Sequence, residues 1–171
     1  MPRKSTRKNK NIYQLAREEA GLTRAAASEL TNISESRIEK IEYSQTLINP
    51  QDVAAMAHAY KKPALCNYFC AHDCEIGQES VPELEVTNLP QIVLTLLASL
   101  NQLSEEKDRL IRISADGRIT ADELADFVAI KKQLDELSVT LDTLQLWIDN
   151  MIADGKISKE EYECAIGDIS D

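Results

Sequence analysis

Residues that interrupt helices are scarce in this chain. Only 5 of its 171 residues are Gly and 5 are Pro, while hydrophobic residues make up 43% of the sequence. A chain of this length and hydrophobic content can bury the core of one or two domains. Because so few residues disfavour helices, the composition predicts an all-α protein.

Long apolar runs are also missing. The sequence contains no stretch of 18 apolar residues, and its first residues lack the charged, apolar and small-residue order of a secretory signal. We therefore expect a cytoplasmic protein that is neither anchored in a membrane nor exported.

Catalytic patterns are equally scarce. The chain has two histidines, His58 and His72, and neither has a serine or carboxylate partner at a telling spacing. It has no glycine-rich phosphate loop, and its C-terminal acids recur at the spacing of a solvated helix face. We therefore do not expect an enzyme.

Charge is distributed unevenly along the chain. The formal net charge is −10, but residues 1–62 contain 11 Lys and Arg against 7 Asp and Glu, whereas the remainder contains 8 basic against 22 acidic residues. A basic end attracts polyanions and an acidic end repels them. This asymmetry favours nucleic-acid binding by the N-terminal part.

Residues 22–50, LTRAAASELTNISESRIEKIEYSQTLINP, predict two short helices joined by a tight turn. Thr23 and Ser34 are good N-caps, and Asn32 tolerates the left-handed conformation that the turn requires. The second helix directs Ile38 and Ile41 inward. Its other faces carry three polar residues: Ser36, Arg37 and Lys40. This layout is typical of a helix-turn-helix that reads DNA.

Residues 12–65 resemble the phage-repressor type of helix-turn-helix domain (lambda repressor and Cro, the XRE type), a five-helix module. The resemblance implies that Arg24 stands where the family usually has a Gln that grips phosphate. It places the other DNA contacts on the recognition helix: Ser34, Glu35, Ser36, Arg37 and Lys40. Glu42 matches the acid that commonly ends this helix, and Asn49 with Pro50 matches the Asn-Pro that opens the fourth helix.

Three positions depart from the family pattern. Ser28 replaces a small Ala and Asn32 replaces the turn Gly, and both replacements are conformationally compatible. Glu35 replaces a basic residue or Gln, and Glu39 adds a second negative charge near the expected DNA, although a Glu can accept a hydrogen bond from cytosine. The alternative is a degenerate helix-turn-helix that binds protein.

Residues 1–11 form a basic segment that contains no acid. It is too polar to fold alone and is suited to a disordered arm that lies on phosphates or in a minor groove. Four of its residues are predicted to contact DNA: Lys4, Arg7, Lys8 and Lys10. A solubilising tail or a cloning remnant is the alternative.

Residues 66–88 lack regular helical periodicity and follow Pro63, so they are predicted to be a linker. Cys66, Cys70 and Cys74 recur there at intervals of four. Reduced cysteines pack as small hydrophobic side chains, and a metal or iron–sulfur site and a thiol redox switch are the alternatives. The spacing is not CxxC, so no cofactor is expected.

From Leu89 onward, apolar residues recur at steps typical of coiled-coil seams. The first seam is Leu89, Val93, Leu96, Leu100, Leu103 and Leu110, and the second is Phe127, Ile130, Leu134, Leu137, Leu141, Leu144, Ile148 and Met151. A short connection at residues 115–117 allows an antiparallel hairpin. Flanking apolar residues widen each stripe beyond what one partner covers: Ile92, Leu97, Ile111, Leu124 and Trp147.

We therefore expect residues 89–171 to form a helical hairpin that dimerises through residues 89–152. A self-contained monomeric bundle is the alternative. A dimer suits DNA recognition because paired helix-turn-helix units read inverted half-sites about one turn apart.

Residues 115–123 and 153–161 form an internal repeat, ADGRITADE and ADGKISKEE. Both copies resemble the last two-thirds of an EF-hand loop, but the carboxylates at its first and third positions are missing, so calcium binding is not expected. The repeat instead predicts a glycine that ends one helix and a capping box that starts the next, Thr120 with Glu123 and Ser158 with Glu161.

The combined prediction is a transcriptional regulator that binds specific double-stranded DNA as a dimer on an inverted repeat. The alternative function is a protein–protein interaction module, such as an antirepressor or adaptor.

Overall fold

The computed structural model describes residues 9–169, and within this range the chain is helical without strands. The all-α prediction is confirmed. The helices are α1 (Ile12–Glu19), α2 (Arg24–Thr31), α3 (Glu35–Glu42), α4 (Pro50–Ala59), α5 (Ala64–His72), α6 (Gly77–Ser80), α7 (Leu89–Ser114), α8 (Leu124–Ala153) and α9 (Lys159–Ile169). Three predicted arm contacts, Lys4, Arg7 and Lys8, lie outside the described residues.

The chain divides into two units. The first unit is Met1–Glu83 with Ile148–Asp171, and the second is Leu84–Trp147. The five tyrosines all belong to the first unit and the single tryptophan, Trp147, to the second. Among the described helices, none is both long and apolar enough to cross a membrane.

Helices α1 to α5 enclose the hydrophobic core of the first unit. Its buried members are Tyr13, Ala16, Ala27, Ile33, Ile38, Ile41, Val53, Met56, Ala57, Tyr60, Leu65 and Phe69. Helices α1, α3, α4 and α5 each contribute residues spaced by three or four, which places them on one face of the helix, and α2 contributes Ala27. The core thereby fixes the positions of the short helices that carry the candidate site.

Side-chain caps set the starts of the short helices. Thr23 Oγ1 accepts a hydrogen bond from Ala26 N at 3.1 Å, Ser34 Oγ from Arg37 N at 3.3 Å, and Asn49 Oδ1 from Asp52 N at 2.7 Å. Each cap satisfies one amide that lacks a partner within its helix. Asn32 has a φ of 57°, the left-handed conformation expected of the turn between α2 and α3.

The prediction of a linker at residues 66–88 is wrong over its first part. Pro63 is the N-cap residue of α5, and α5 continues to His72. Leu65 and Phe69, four residues apart, turn one face of α5 into the core, and this burial extends the domain beyond residue 65. Within residues 66–88, irregular backbone is confined to residues 73–76 and 81–88.

The segment after α5 packs closely on the helix itself. Gly77 is buried, and a Cβ atom at this position would lie 2.0 Å from the carbonyl oxygen of Cys70. Only glycine allows such an approach of two backbones. Gly77 therefore fixes α6 against α5.

The second unit consists of α7 and most of α8, joined by residues 115–123. The guanidinium of Arg109 donates from Nε to Asp126 Oδ2 at 2.8 Å, which ties the end of α7 to the start of α8. Ile92, Ile113, Ile130 and Leu146 are buried, whereas Leu97, Ile111 and Leu124 are more than half exposed in the single chain. Three of the five flanking residues predicted to widen the stripes are thus left uncovered, whereas Ile92 is buried and Trp147 is half-buried.

Seam positions are only partly buried. Val93, Leu100, Leu134 and Leu141, all predicted to face inward, remain exposed in the single chain. On α8 the buried positions include Thr140 and Thr143 instead, and the hydroxyls of both donate to carbonyls four residues earlier. Burial on α8 thus includes a face beside the predicted seam.

The repeat forms two helix connections, and each contains one half of the predicted capping box. Gly117 and Gly155 are left-handed, with φ of 69° and 71°. At the first connection Thr120 N donates to Glu123 Oε2 at 3.0 Å, and at the second Ser158 Oγ accepts from Glu161 N at 3.3 Å. The helix ends predicted near residues 115 and 153 and the start of α9 after Ser158 are confirmed, whereas α8 begins at Leu124, three residues later than the predicted capping box at Thr120 implies.

Candidate nucleic-acid interface

Helix α3 presents a polar face to solvent, while its opposite face is buried in the core. Ile38 and Ile41 are buried in the core, as predicted, and Ser34 caps the helix. The residues on its remaining faces are exposed, except for the half-buried Arg37: Glu35, Ser36, Glu39 and Lys40. The arrangement can place these side chains in a groove without unfolding the helix.

Glu42 anchors the end of α3. Its carboxylate is almost fully buried and accepts from Arg17 at two points, Nε to Oε1 at 2.5 Å and Nη2 to Oε2 at 3.1 Å. Arg24 Nε donates to the same Oε2 at 2.9 Å. Three charged groups from α1, α2 and α3 thus form one network, in which charge-assisted bonds compensate for burial.

Arg24 uses two sides of its guanidinium within this network. Besides its bond to Glu42, its Nη1 donates to Glu39 Oε1 at 2.7 Å, and the guanidinium carbon lies 5.1 Å from the ring centre of Tyr43. Burial disfavours the charged form, but hydrogen bonds to Tyr43 and Glu42 outweigh it and raise the pKa of Arg24. The acids hold Arg24 beside α3.

Arg37 is held by α4. Its Nε donates to Asp52 Oδ2 at 2.7 Å, and its Nη2 lies 2.5 Å from the same oxygen. The Arg37 side chain stays 37% exposed, while the Asp52 side chain is only 12% exposed. This pair links α3 to the first turn of α4.

The two short helices α2 and α3 therefore meet at a left-handed turn, and α3 presents polar side chains to solvent. A family model described as a helix-turn-helix domain matches residues 14–65. Residues 14–65 form a helix-turn-helix domain. Its two central helices are α2 and α3, and α3 occupies the position of the recognition helix in domains of this kind. No curated protein and no solved structure matches the chain.

The helix-turn-helix domain is a DNA-binding kind of module, consistent with the phage-repressor type. The match covers about a third of the chain. It includes most of the predicted site residues, from Arg24 to Lys40, and excludes the second unit.

Lys10, the described member of the predicted arm contacts, is paired within the domain. Its Nζ lies 2.6 Å from Glu18 Oε2 on α1. Burial raises the pKa of Glu18, but hydrogen bonds from Lys10 and Gln14 outweigh it, and the pKa is lowered overall. A DNA contact by Lys10 remains a prediction and would require exchange of this partner.

Sequence reasoning missed three residues of this region. Tyr43 and Asp52 contact the predicted residues Arg24 and Arg37, and Arg17 binds Glu42, the acid that Arg24 shares. In the ion pairs, Arg17 is 25 residues from Glu42 along the chain, and Asp52 is 15 residues from Arg37. The one local signal is the position of Asp52, three residues after the cap Asn49, where an acid favours a helix start.

The cysteines beside the helix-turn-helix domain are free thiols. Cys70 and Cys74 pack against the core, and Cys66 is exposed on α5. Although the residue is exposed, partial desolvation of the thiol, and to a lesser extent Cys70, raises the pKa of Cys66. Across residues 9–169 no group of three His, Cys, Asp or Glu side chains is arranged to hold a metal ion. A metal site and a redox switch at these cysteines stay predictions.

Proposed function

We propose that the chain is a sequence-specific transcriptional regulator that binds double-stranded DNA. One observation carries the proposal: α3, capped by Ser34 and rooted in the core by Ile38, presents Ser36, Arg37 and Lys40 on its accessible faces. Recognition helices of this type enter the major groove and contact base edges with their first turns. We include a cytoplasmic location in this proposal, because a transcriptional regulator must reach the DNA.

The charged residues divide into two proposed roles. Arg37 and Lys40, with Ser36, contact base edges, whereas Arg24 and the basic residues of the N-terminal segment contact phosphates. Ser34 and Glu35 stand at the start of α3, where Glu35 can accept from a cytosine amino group. Phosphate contacts set the position of the domain, and base contacts select the sequence.

We further propose that the regulator is a homodimer formed through residues 89–152. The exposed apolar side chains of the second unit support this, because Leu97, Ile111 and Leu124 each expose more than half of their surface in the single chain. Contiguous exposed apolar surface of this kind marks an interaction site. A second copy would also pair two recognition helices for an inverted repeat.

Selection of bound fragments from random duplex DNA at moderate salt tests the proposal. We expect an inverted repeat to be enriched, and its affinity to fall steeply with salt because bound phosphates release counterions. Removal of residues 1–10 should weaken binding to all sequences and flatten the salt slope.

Variants separate the two roles. Arg37→Ala should relax sequence choice, whereas Lys131→Ala, which removes one positive charge from α8, should leave DNA binding at the wild-type level. No enrichment by the folded protein would contradict the proposal and favour the alternative, an antirepressor or adaptor that binds another protein through its acidic surfaces.

A further inference from the structure

The two donors that Arg37 uses in its ion pair lie on the same edge of its guanidinium. Asp52 Oδ2 accepts from Nε at 2.7 Å and lies 2.5 Å from Nη2. A guanidinium has five N–H donors in a rigid plane. The ion pair therefore leaves three hydrogens available to a ligand, the second on Nη2 and both on Nη1. Nη1 has no hydrogen-bond partner among residues 9–169.

The open edge of Arg37 is held in a fixed direction. Asp52 is mostly buried in the first turn of α4, and its backbone amide is bound by the cap Asn49 at 2.7 Å. The carboxylate therefore has little freedom, and it restricts the long side chain that it binds. Ordering of an arginine side chain before binding lowers the entropy lost on recognition.

The chemistry of the open edge selects one base. Guanine presents two acceptors, N7 and O6, in the major groove, whereas adenine presents one acceptor and one donor, and cytosine presents a donor. Two parallel N–H groups fit the guanine pair, whereas they meet a donor on adenine or cytosine and only the single acceptor O4 on thymine. The carboxylate also offsets the arginine charge, which weakens nonspecific attraction to phosphate relative to base contact.

We propose that Asp52 is a positioning residue that directs Arg37 to a guanine in each operator half-site. The inference rests on the proposed function and names the base that one position of the operator must contain. Arg24 differs, because Glu42 and Glu39 engage it through Nε and through Nη1. Because two acids hold Arg24, at two different nitrogens, we assign no base to it.

The first experiment uses the full-length protein and the sequence recovered by selection. Each half-site guanine is replaced in turn by 7-deazaguanine, which lacks N7, or by inosine, which keeps both N7 and O6. At one position we expect 7-deazaguanine to weaken wild-type binding about fivefold or more, and inosine to have no effect. The same replacement should not weaken binding by Arg37→Ala any further.

The second experiment tests Asp52 through base preference. The relevant G·C pair is the one at which the effect of 7-deazaguanine depends on Arg37. Its replacement by A·T should weaken binding by the wild type about 5- to 150-fold. In Asp52→Ala this ratio should shrink, with Asp52→Glu restoring part of it, and in the Arg37→Ala background Asp52→Ala should leave the ratio unchanged. Gln51→Ala, at the neighbouring exposed position of α4, is the matched control.

The outcomes distinguish the inference from the function on which it rests. A merely structural role of Asp52 would weaken binding to both sequences equally and leave the ratio at its wild-type value, which would overturn the inference. A recovered operator in which no guanine couples to Arg37 would overturn it while leaving sequence-specific binding intact. Failure to recover any preferred sequence would overturn both.

Discussion

Arg17 and Glu42 form a two-point ion pair inside the first unit, although 25 residues separate them in the sequence. The Glu42 side chain is 1% exposed, and Arg24 shares its second oxygen. This pair joins α1 to the end of the recognition helix. The stability of the domain and the orientation of that helix therefore depend on the same contact.

Removal of one partner of this pair should destabilise the protein strongly. In Arg17→Met the Glu42 carboxylate loses its two-point partner, and loss of one member of a buried pair costs about 3–5 kcal/mol. We expect a corresponding fall in the free energy of unfolding, measured in urea by circular dichroism. Glu39→Gln, which removes the exposed partner of Arg24, should cost less than about 1 kcal/mol. Equal losses in the two variants would contradict this account.

Gly77→Ala should destabilise the contact between α6 and α5. The added Cβ would lie 2.0 Å from the Cys70 carbonyl oxygen, and neither backbone can move away without disturbing its helix. Overpacking of this kind costs about 1–3 kcal/mol. Gly167→Ala is the control, because a Cβ there meets no atom within 4 Å and Ala favours a helix over Gly by about 0.5–1 kcal/mol. A thermal midpoint of Gly77→Ala at or above that of the wild type would refute the steric argument.

Stability should fall at alkaline pH through the buried tyrosines. Burial, and then the 2.6 Å hydrogen bond to Asp73, raise the pKa of Tyr13, and burial, followed by the charge of Glu42, raises the pKa of Tyr60. The unfolded chain releases these protons near pH 10, whereas the folded chain retains them. The stabilisation is therefore complete below about pH 10 and is lost progressively above it.

Urea unfolding between pH 9 and 11 measures this effect. Each buried tyrosine contributes a slope of up to about 1.4 kcal/mol per pH unit above pH 10. Tyr13→Phe and Tyr60→Phe should each reduce the slope, and the double variant should reduce it most. A slope that is identical in the wild type and the double variant would show that other groups control alkaline unfolding.

Leu97→Glu should convert the proposed dimer to a monomer. The side chain is 52% exposed on α7 in the single chain, so a charge there is tolerated by one copy but is buried by the partner in the dimer. Sedimentation equilibrium should report half the wild-type mass with unchanged helix content, and affinity for a full inverted repeat should fall towards that for one half-site. Leu47→Glu, at a leucine that is 91% exposed in the first unit, should retain the wild-type mass. A monomeric wild-type protein at micromolar concentration would exclude the proposed dimer.

Local signals made the helix-turn-helix predictable. The caps Thr23 and Ser34, the turn residue Asn32 and the inward Ile38 each act within four residues of the backbone they control, and the structure places all four as expected. Side-chain propensities and periodicity determine such features directly.

Tertiary contacts account for the predictions that failed. The irregular sequence around the cysteines concealed α5, because only Leu65 and Phe69 mark its buried face and a short segment with two such residues gives a weak periodic signal. The bonds from Arg37 to Asp52 depend on how α3 and α4 pack, which no local pattern records. On α8 the buried Thr140 lies beside the predicted seam, because a threonine hydroxyl satisfied by its own helix can be buried at little cost.

The separation of the aromatic residues gives each unit its own optical signal. Tryptophan fluorescence excited at long wavelength reports on Trp147 and hence on the second unit, whereas tyrosine absorbance reports on the first unit, which contains all five tyrosines. A single denaturation experiment followed at both wavelengths can therefore establish whether the two units unfold together or in sequence. Coincident transitions would mean that mutations in the second unit also change the stability of the first, and separate transitions would mean that each unit can be altered alone.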